Sequence, residues 1–430
     1  MPSSSATTAF ARVTALASVR AVHAAFAWLH ANPKTILDWQ AEVCGIPAPP
    51  FGEQARAAWL AERFAEIGLD AVRTDEIGNV LAFLPAPEID PGSTGPIVVL
   101  SAHLDTVFPA GTPLHAVLRR VESRTGDQDR LEVPGAGDNG AGLAGLLALA
   151  AALTHSGAHP PAPLLFLGNV GEEGEGDLRG VRHFYAQNPL AQRVAAHIVL
   201  DGAGSNGAVM QALGSRRFRV TVTGPGGHSF TDAGTPNPIV AMAEALIDLA
   251  RMPLPLGETG RQETHRTTLN IGTLHGGSSV NSIPESAEAT IDFRSTGAEE
   301  LLRLEVALHR AVEDAVDRAN RRSRPPHGRL AFSIAKIGDR PAARLPEQSA
   351  LVETLLAVDR HMGLVTSPRL GSTDANLPLS LGIPALSLGA GGESGGAHTL
   401  AEWYSPRDRE TGLKRILLLT LAMMEWAAEQ

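Results

Sequence analysis

The stretch Ile97-Val-Val-Leu-Ser-Ala-His-Leu-Asp-Thr-Val-Phe108 decides how the rest of the chain is read. Its first four residues are apolar and mostly β-branched, which predicts a buried strand. Small residues follow, then His103 and Asp105. In extended backbone, residues two apart point the same way. Imidazole and carboxylate are therefore expected to face one space at the strand's C-terminal end. A carboxylate so placed fixes the tautomer of a metal-binding histidine and raises its basicity. The plainer alternative is a strand end with a satisfied polar pair.

The same pattern recurs downstream. Leu164–Leu167 leads into Gly168-Asn-Val-Gly-Glu-Glu-Gly-Glu-Gly176, Ile198–Leu200 ends on Asp201, and Pro384–Leu388 precedes a glycine-rich segment that delivers His398. Short apolar strands separated by helical stretches predict an α/β fold with a mostly parallel sheet. In such sheets the site lies outside the carboxyl ends of the strands, which is where these polar residues fall. Gly135-Ala-Gly-Asp-Asn-Gly-Ala-Gly142 opens a helix of small residues expected to run to about Thr154. It has neither the lysine of a phosphate-binding GxxxxGK[ST] loop nor GxGxxG spacing, which argues against a nucleotide site. Its glycines are read as bending the backbone around the carboxylate of Asp138.

Upstream, helical spacing runs from about Val22 to Glu42 and again from Glu53 to Ile67, before a strand pair around Asp75–Phe83. Met1–Arg20 has no basic n-region followed by a continuous apolar stretch, so it reads as a frayed leader rather than a signal peptide. Residues 119–132 are charged and form a candidate hairpin. Between about Gly214 and Ala342 the texture changes to β-α-β-β-α-β, the order of a split βαβ sandwich. The expected organisation is a catalytic domain in two parts, 1–213 and 343–430, interrupted by an inserted domain at 214–342.

At 430 residues the chain can bury a large core. Its formal charge, 36 − 46 = −10, argues against a general binder of nucleic acid or anionic membrane. The longest apolar run, Leu143–Leu153, is too short to span a bilayer. The single cysteine, Cys44, excludes an intrachain disulfide and suits a reducing, cytoplasmic setting. It is expected as a buried structural thiol.

His103, Asp138, Glu172, Glu173, Asp201 and His398 form one candidate set. Two imidazoles and several carboxylates without thiols suit zinc or a similar divalent ion. Two ions sharing a carboxylate would need about five ligand side chains and a separate base, which this set supplies. Taken alone, GEEGEG could equally be a solvated acidic turn.

Several segments together, HLDTV, GAGDNGAG, NVGEEGEGDLRG, VLDG, GPGGHS, GGSSVNSIPESAEATIDFR, GSTDANLP and GAHTLAEW, carry a resemblance. In that order they resemble the di-zinc metallopeptidase family of peptidase T, carboxypeptidase G, aminoacylase-1 and the dipeptidases, from about residue 35 onward. The resemblance implies a catalytic α/β domain with an inserted ferredoxin-like lid that also forms a homodimer. It implies that His103 and Asp201 bind one zinc, Glu173 and His398 the other, and that Asp138 bridges. Asp105 would orient His103, and Glu172 would be the general base. The bond Asp138–Asn139 would be a candidate cis peptide. His228 would reach the substrate carbonyl across the dimer, and Asn281 and Arg294 would hold a substrate carboxylate. Other histidines, at 115, 155, 159, 183, 197, 265, 275 and 361, match nothing and are expected to be structural or exposed.

The implied activity is cleavage of an amide bond in a small peptide by a metal-bridging hydroxide, with zinc, or alternatively cobalt or manganese. Asp rather than Glu at position 201 favours the aminopeptidase and dipeptidase branch by analogy alone. An N-acyl-amino-acid amidohydrolase or a carboxypeptidase is the nearest alternative. A non-catalytic metal-dependent binding protein is the alternative of another class.

Overall fold

A computed structural model describes residues 4–86, 95–122, 128–158, 160–255, 266–323 and 328–430. They form two compact units, one of Met1–Ala212 with Arg344–Gln430 and one of Leu213–Ala343. The first unit opens with helices α1 (Ser4–Ala17), α2 (Arg20–Ala31), α3 (Pro33–Cys44) and α4 (Gln54–Ile67). The leader expected to be frayed is thus helical from Ser4. Ala9, Val13 and Leu16 recur at helical spacing and are buried, and α1 packs on helices near the C-terminus. The single helix expected over residues 22–42 is two, because Pro33 has no amide to continue α2 and instead begins α3.

Strands β1 (Asp70–Thr74) and β2 (Val80–Leu84) pair antiparallel. They flank Asp75 rather than starting at it, because its carboxylate accepts the amides of Ile77, Gly78 and Asn79 and makes a turn. There follow β3 (Ile97–His103), the hairpin β4 (Val117–Val121) and β5 (Gln128–Glu132), and α5 (Gly140–Ser156). Next come β6 (Leu164–Asn169), α6 (Arg179–Gln187), β7 (Val194–Leu200) and β8 (Gly207–Ala212). Helix α5 is buried on every side from Gly140 to Leu153, which explains its small, apolar composition without a polar face.

The second unit comprises β9 (Gly214–Thr223), β10 (Gly227–His228), α7 (Pro238–Ala250), β11 (Thr267–Gly276), β12 (Ser282–Ile283), β13 (Ser286–Ser295), α8 (Ala298–Arg322) and β14 (Ala331–Arg340). Its long strands pair antiparallel in the order β11-β13-β9-β14, the ferredoxin-like arrangement. Burial alternates along β13, so one face of this sheet is covered. Phe218, Val220, Ile291 and Phe293 from that face pack with Met242, Leu246, Leu304 and Leu308 of the two helices.

The chain then adds β15 (Ala343–Arg344), α9 (Ala350–Met362), β16 (Ser367–Gly371), α10 (Asn376–Ser380), β17 (Ala385–Leu388), β18 (Glu393–Gly395), β19 (Trp403–Ser405) and α11 (Arg409–Ala428). The main sheet runs β1-β2-β6-β3-β7-β17-β8-β15, with β16 beside β8. Its centre, β6-β3-β7-β17, is parallel; β1-β2, β2-β6 and β17-β8 are antiparallel, and β16 runs parallel to β8. The carboxyl ends of the central strands therefore open on one edge. Among the described residues no helix is long and apolar enough to cross a membrane.

Candidate metal centre

Strand β3 ends on His103, whose Nε2 lies 3.0 Å from Asp138 Oδ1. His398 Nε2 lies 3.1 Å from Asp138 Oδ2 and 3.2 Å from Glu173 Oε1. One carboxylate thus sits between two imidazoles. Ligand atoms of His103, Asp138 and Asp201 lie within 4.8 Å of one another, as do those of His103, Glu172 and Glu173, and of Asp138, Glu173 and His398. Asp201 follows β7 directly and is tied to β17 by its amide, which donates to the Leu388 carbonyl at 2.9 Å. His398 has φ +63°, a left-handed backbone uncommon outside glycine and frequent at functional sites.

Asp105 lies past the strand end. Its carboxylate accepts the amides of Glu172 at 2.9 Å and Glu173 at 2.7 Å, joining the β3 and β6 loops. His103 Nδ1 is nearer the Asp105 carbonyl oxygen, at 3.1 Å, than its carboxylate, at 3.6 Å. The simple side-by-side pair expected from strand geometry is therefore replaced by a backbone acceptor, because the strand stops at His103. A proton on Nδ1 leaves Nε2 directed at the cluster.

Burial works against charge on His103, but the neighbouring carboxylates of Asp105 and Asp138 outweigh it and hold the imidazole well above its usual range. His398 is raised to about 9, first by its bond to Asp138. Burial, then the neighbouring charges of Glu172 and Asp138, lift Glu173 to about 7. Burial also pushes Asp201 well up, with the Asp138 charge adding to it. Asp138 goes the other way: burial opposes its charge, but the bonds to His103 and His398 bring it below the carboxylate range. Four carboxylates converge on two imidazoles, and the cluster draws in protons where cations would otherwise balance it. This N/O donor set fits one or two divalent ions.

Glu402 leaves no local mark in the sequence. It is buried, and its carboxylate accepts the amides of Gly135 and Gly137, both at 2.8 Å, and of Asp138 at 2.9 Å. The glycine-rich turn therefore bends around Glu402, not around Asp138 as expected. Gly135 takes φ +79°, and a Cβ on Gly137 would lie 3.1 Å from Glu402 Oε1. The bond Asp138–Asn139 is cis, as the resemblance implies. Asn139 then caps α5 by accepting from the Gly142 amide at 3.0 Å. Asp374, buried and bonded at 2.7 Å to Asn169, is raised to about 7 by burial and then by the charge of Glu172. Cys44 is buried as expected, and burial lifts its thiol to about 12.

His228, Asn281 and Arg294 lie in the second unit. His228 pairs with Ser282 across β10 and β12, and the Ser229 amide donates to the Asn281 carbonyl at 3.0 Å. His228 Nδ1 accepts the amides of Phe230 at 3.2 Å and Thr231 at 3.4 Å, which places the ring proton on Nε2. Arg294 Nε donates to Asp292 at 2.8 Å. Of the other histidines, His197 is buried between Tyr185 and Ser101, and burial lowers it to about 3. His183 contacts Glu76 at 3.2 Å, while His115, His155, His275 and His361 are exposed. His159 and His265 lie outside the described residues.

The sequence model of Peptidase family M20/M25/M40 matches residues 99–422. A probable carboxypeptidase of Aspergillus clavatus is 29% identical over 294 residues, covering 67% of this chain and 63% of that one. The chain spans about half to two thirds of the length of the curated relatives it matches. A tripeptidase structure from Staphylococcus aureus is similar with TM-score 0.67 and 21% identity, over 93% of this chain and 99% of that one. A Bacillus subtilis structure described as a dinuclear metal binding peptidase is similar with TM-score 0.62 and 15% identity, over 92% and 99%. These structures share the fold.

Proposed function

We propose, on the premise that this chain belongs to peptidase family M20/M25/M40, that it is a metal-dependent hydrolase of amide bonds in small peptides. The observation that carries the reading is the Asp138 carboxylate held between His103 and His398 with Glu173 alongside. His103 and Asp201 would hold one divalent ion, Glu173 and His398 a second, and Asp138 both. Zinc suits the donors best, and cobalt or manganese would also fit. Such ions supply polarisation of the amide carbonyl and a water of lowered pKa.

The chain's own residues do the rest. Glu172 takes the proton of the attacking water and returns it to the departing amine. Asp105 positions His103 and ties both glutamate amides in place. His228, with its proton on Nε2, donates to the carbonyl oxygen as negative charge develops there. It does so from the partner of a homodimer formed through residues 214–342. Asn281 and the planar fork of Arg294 hold the substrate's carboxylate, which limits substrates to di- and tripeptides with a free C-terminus. A cytoplasmic location fits the lone, buried Cys44.

The curated relatives' description as probable carboxypeptidases supports a second reading, in which the same carboxylate clamp selects C-terminal residues of longer peptides. The test is hydrolysis of a dipeptide, its C-terminal amide, its N-acetyl form and a longer peptide, with metal content measured in parallel. The dipeptide is expected to be cleaved fastest and the amide slowest. Faster cleavage of the acetylated compound makes the protein an N-acyl amidohydrolase, and of the longer peptide a carboxypeptidase. Full activity without metal, or metal binding without any turnover, removes the metallohydrolase reading.

A further inference from the structure

Beside the metal cluster, in the same unit, lies a small sheet ordered β18-β19-β5-β4. One of its faces carries Arg119, Arg130, Glu132 and Trp403, for Arg119 stands opposite Arg130, and Glu132 stands between Val117 and Trp403. Leu131 and Tyr404, which alternate with them, point to the other face and are buried. Two arginines directly opposite each other on one face repel and weaken a hairpin. Arg119 finds Glu132 at 2.9 Å. Arg130 has no carboxylate partner among the described residues. Its Cζ lies 3.7 Å from the centroid of the Trp403 ring, and its Nε is buried without a hydrogen-bond partner. Gly395, opposite Trp403, makes room for the ring, since a Cβ there would lie 2.8 Å from the indole.

A cavity of about 490 Å³ opens over this face, lined by Pro113, His115, Val117, Arg130, Leu400 and Trp403 among others. Among the described residues, Arg130 is thus left without a carboxylate partner, stacked on the Trp403 ring and bordered by Val117 and Leu400. Glu132, engaged by Arg119, and Glu402, engaged by the amides of Gly135, Gly137 and Asp138, also line the cavity. Stacking fixes the guanidinium plane and leaves its outer N–H groups to a bidentate acceptor. Two walls continue into the metal cluster. Pro134 precedes Asp138 by one turn of chain, and Leu400 follows His398 with one residue between.

We propose that this cavity is a carboxylate-binding subsite for a small acidic molecule, with the carboxylate on Arg130 and the aliphatic part against Trp403, Val117 and Leu400. The carboxylate is supplied either by an acidic side chain of the peptide being cleaved, which rests on the function proposed above, or by a free dicarboxylic acid bound apart from the substrate.

Two measurements on the metal-loaded protein separate these sources. The first is kcat/KM for Glu-Ala and Ala-Glu against Gln-Ala and Ala-Gln, and the second is calorimetric binding of glutarate. If the peptide supplies the carboxylate, one glutamyl peptide exceeds its glutaminyl partner by about ten- to a hundredfold, as hydrogen bonds to charged groups allow. R130Q then brings that ratio near one, and R130K restores part of it. If a free acid supplies it, the ratio is near one in the wild type, while glutarate binds and R130Q weakens that binding by about tenfold or more. Neither preference nor glutarate binding, or both unchanged in an R130Q protein with normal metal content and melting temperature, overturns the subsite. If no peptide is cleaved at all, the peptidase reading fails and glutarate binding alone decides the subsite.

Discussion

The cluster between His103 and His398 and the ladder bearing His228 hold their side chains by opposite means. In the cluster, support comes from far along the chain. Asp138 meets His398, and Glu402 grips the Asp138 amide, each across more than half the sequence. In the ladder, support is local. His228 is fixed by Phe230, Thr231 and Asp232, Asn281 by Ser279, and Arg294 by Asp292. Converging carboxylates repel one another, so they need a rigid frame that binds several strand ends at once. A hydrogen-bond donor directed at a substrate needs only its own tautomer and rotamer set. Substitutions in the frame should therefore disturb metal and stability, whereas those in the ladder should disturb turnover alone.

Glu172→Gln should show the largest effect and tests the frame's one residue assigned to protons. Turnover is expected to fall by ~10²–10⁴-fold while both ions stay, because the amide cannot accept the proton. Metal analysis of the variant checks this. If Glu172→Gln sheds metal and Glu173→Gln keeps it, the roles of the neighbours are exchanged.

His228→Ala should come next, losing about 3 kcal/mol of transition-state stabilisation with unchanged metal content and melting temperature. Mixing it with Glu172→Gln subunits should restore part of the activity, since one hybrid site has both groups intact. Metal loss in His228→Ala would break the contrast between the two regions. No recovery despite proven subunit exchange would place His228 in its own subunit's site or in none.

Glu402→Gln sharpens the frame side. Among the described residues the Glu402 carboxylate bonds to backbone amides, yet metal affinity should fall ~10–100-fold, as is typical for partners behind ligands. Competition with a chelator measures it. Unchanged affinity would make the amide cradle incidental.

The smallest effect expected is a pH dependence of the metal-free protein. His398 is raised to about 9 from 6.5, so its contribution is complete below 6.5 and lost as pH rises through about 9. Glu173 and Asp374 are raised to about 7 from 4.5 and 3.8, so their contributions are likewise lost as pH climbs through about 7. In each case the native state binds more protons, so the contribution of these three groups falls as pH rises. Because His197, lowered to about 3 by burial, works the other way below 6.5, the comparison is between neutral and alkaline pH, where melting temperature should decline, and the decline should vanish when metal is added. A rise would show that the cluster is not proton-loaded without metal.

Much of the frame is legible in the sequence because a run such as Ile97–Leu100 or Ile198–Leu200 announces a buried strand, and the polar residue after it announces an end. The ferredoxin-like unit is legible because β13 keeps its alternation through Ser295. Glu402 is not, because its partners are amides, which carry no side-chain signature. Arg130 is hidden for a related reason: its like-charged neighbour is set by hairpin register, and a charged segment reads the same in any register. Helix α1 was obscured by its alanines, which serve a frayed or a packed segment alike until α9 and α11 cover them.

The placement of β17 between β7 and β8 bears on how the molecule is born. During translation β7 emerges early, but its partner residues Ala385–Leu388 leave the ribosome only after residues 213–343. Until then Val194–Leu200 presents an open edge, while residues 213–343 have everything needed to close their own core. The inserted unit should mature first and the centre of the molecule last. Ribosome-bound chains halted before Pro384 should yield a protease-resistant 213–343 fragment and a cleavable β7. A protected β7 in such chains would mean that another segment occupies the gap and must be displaced.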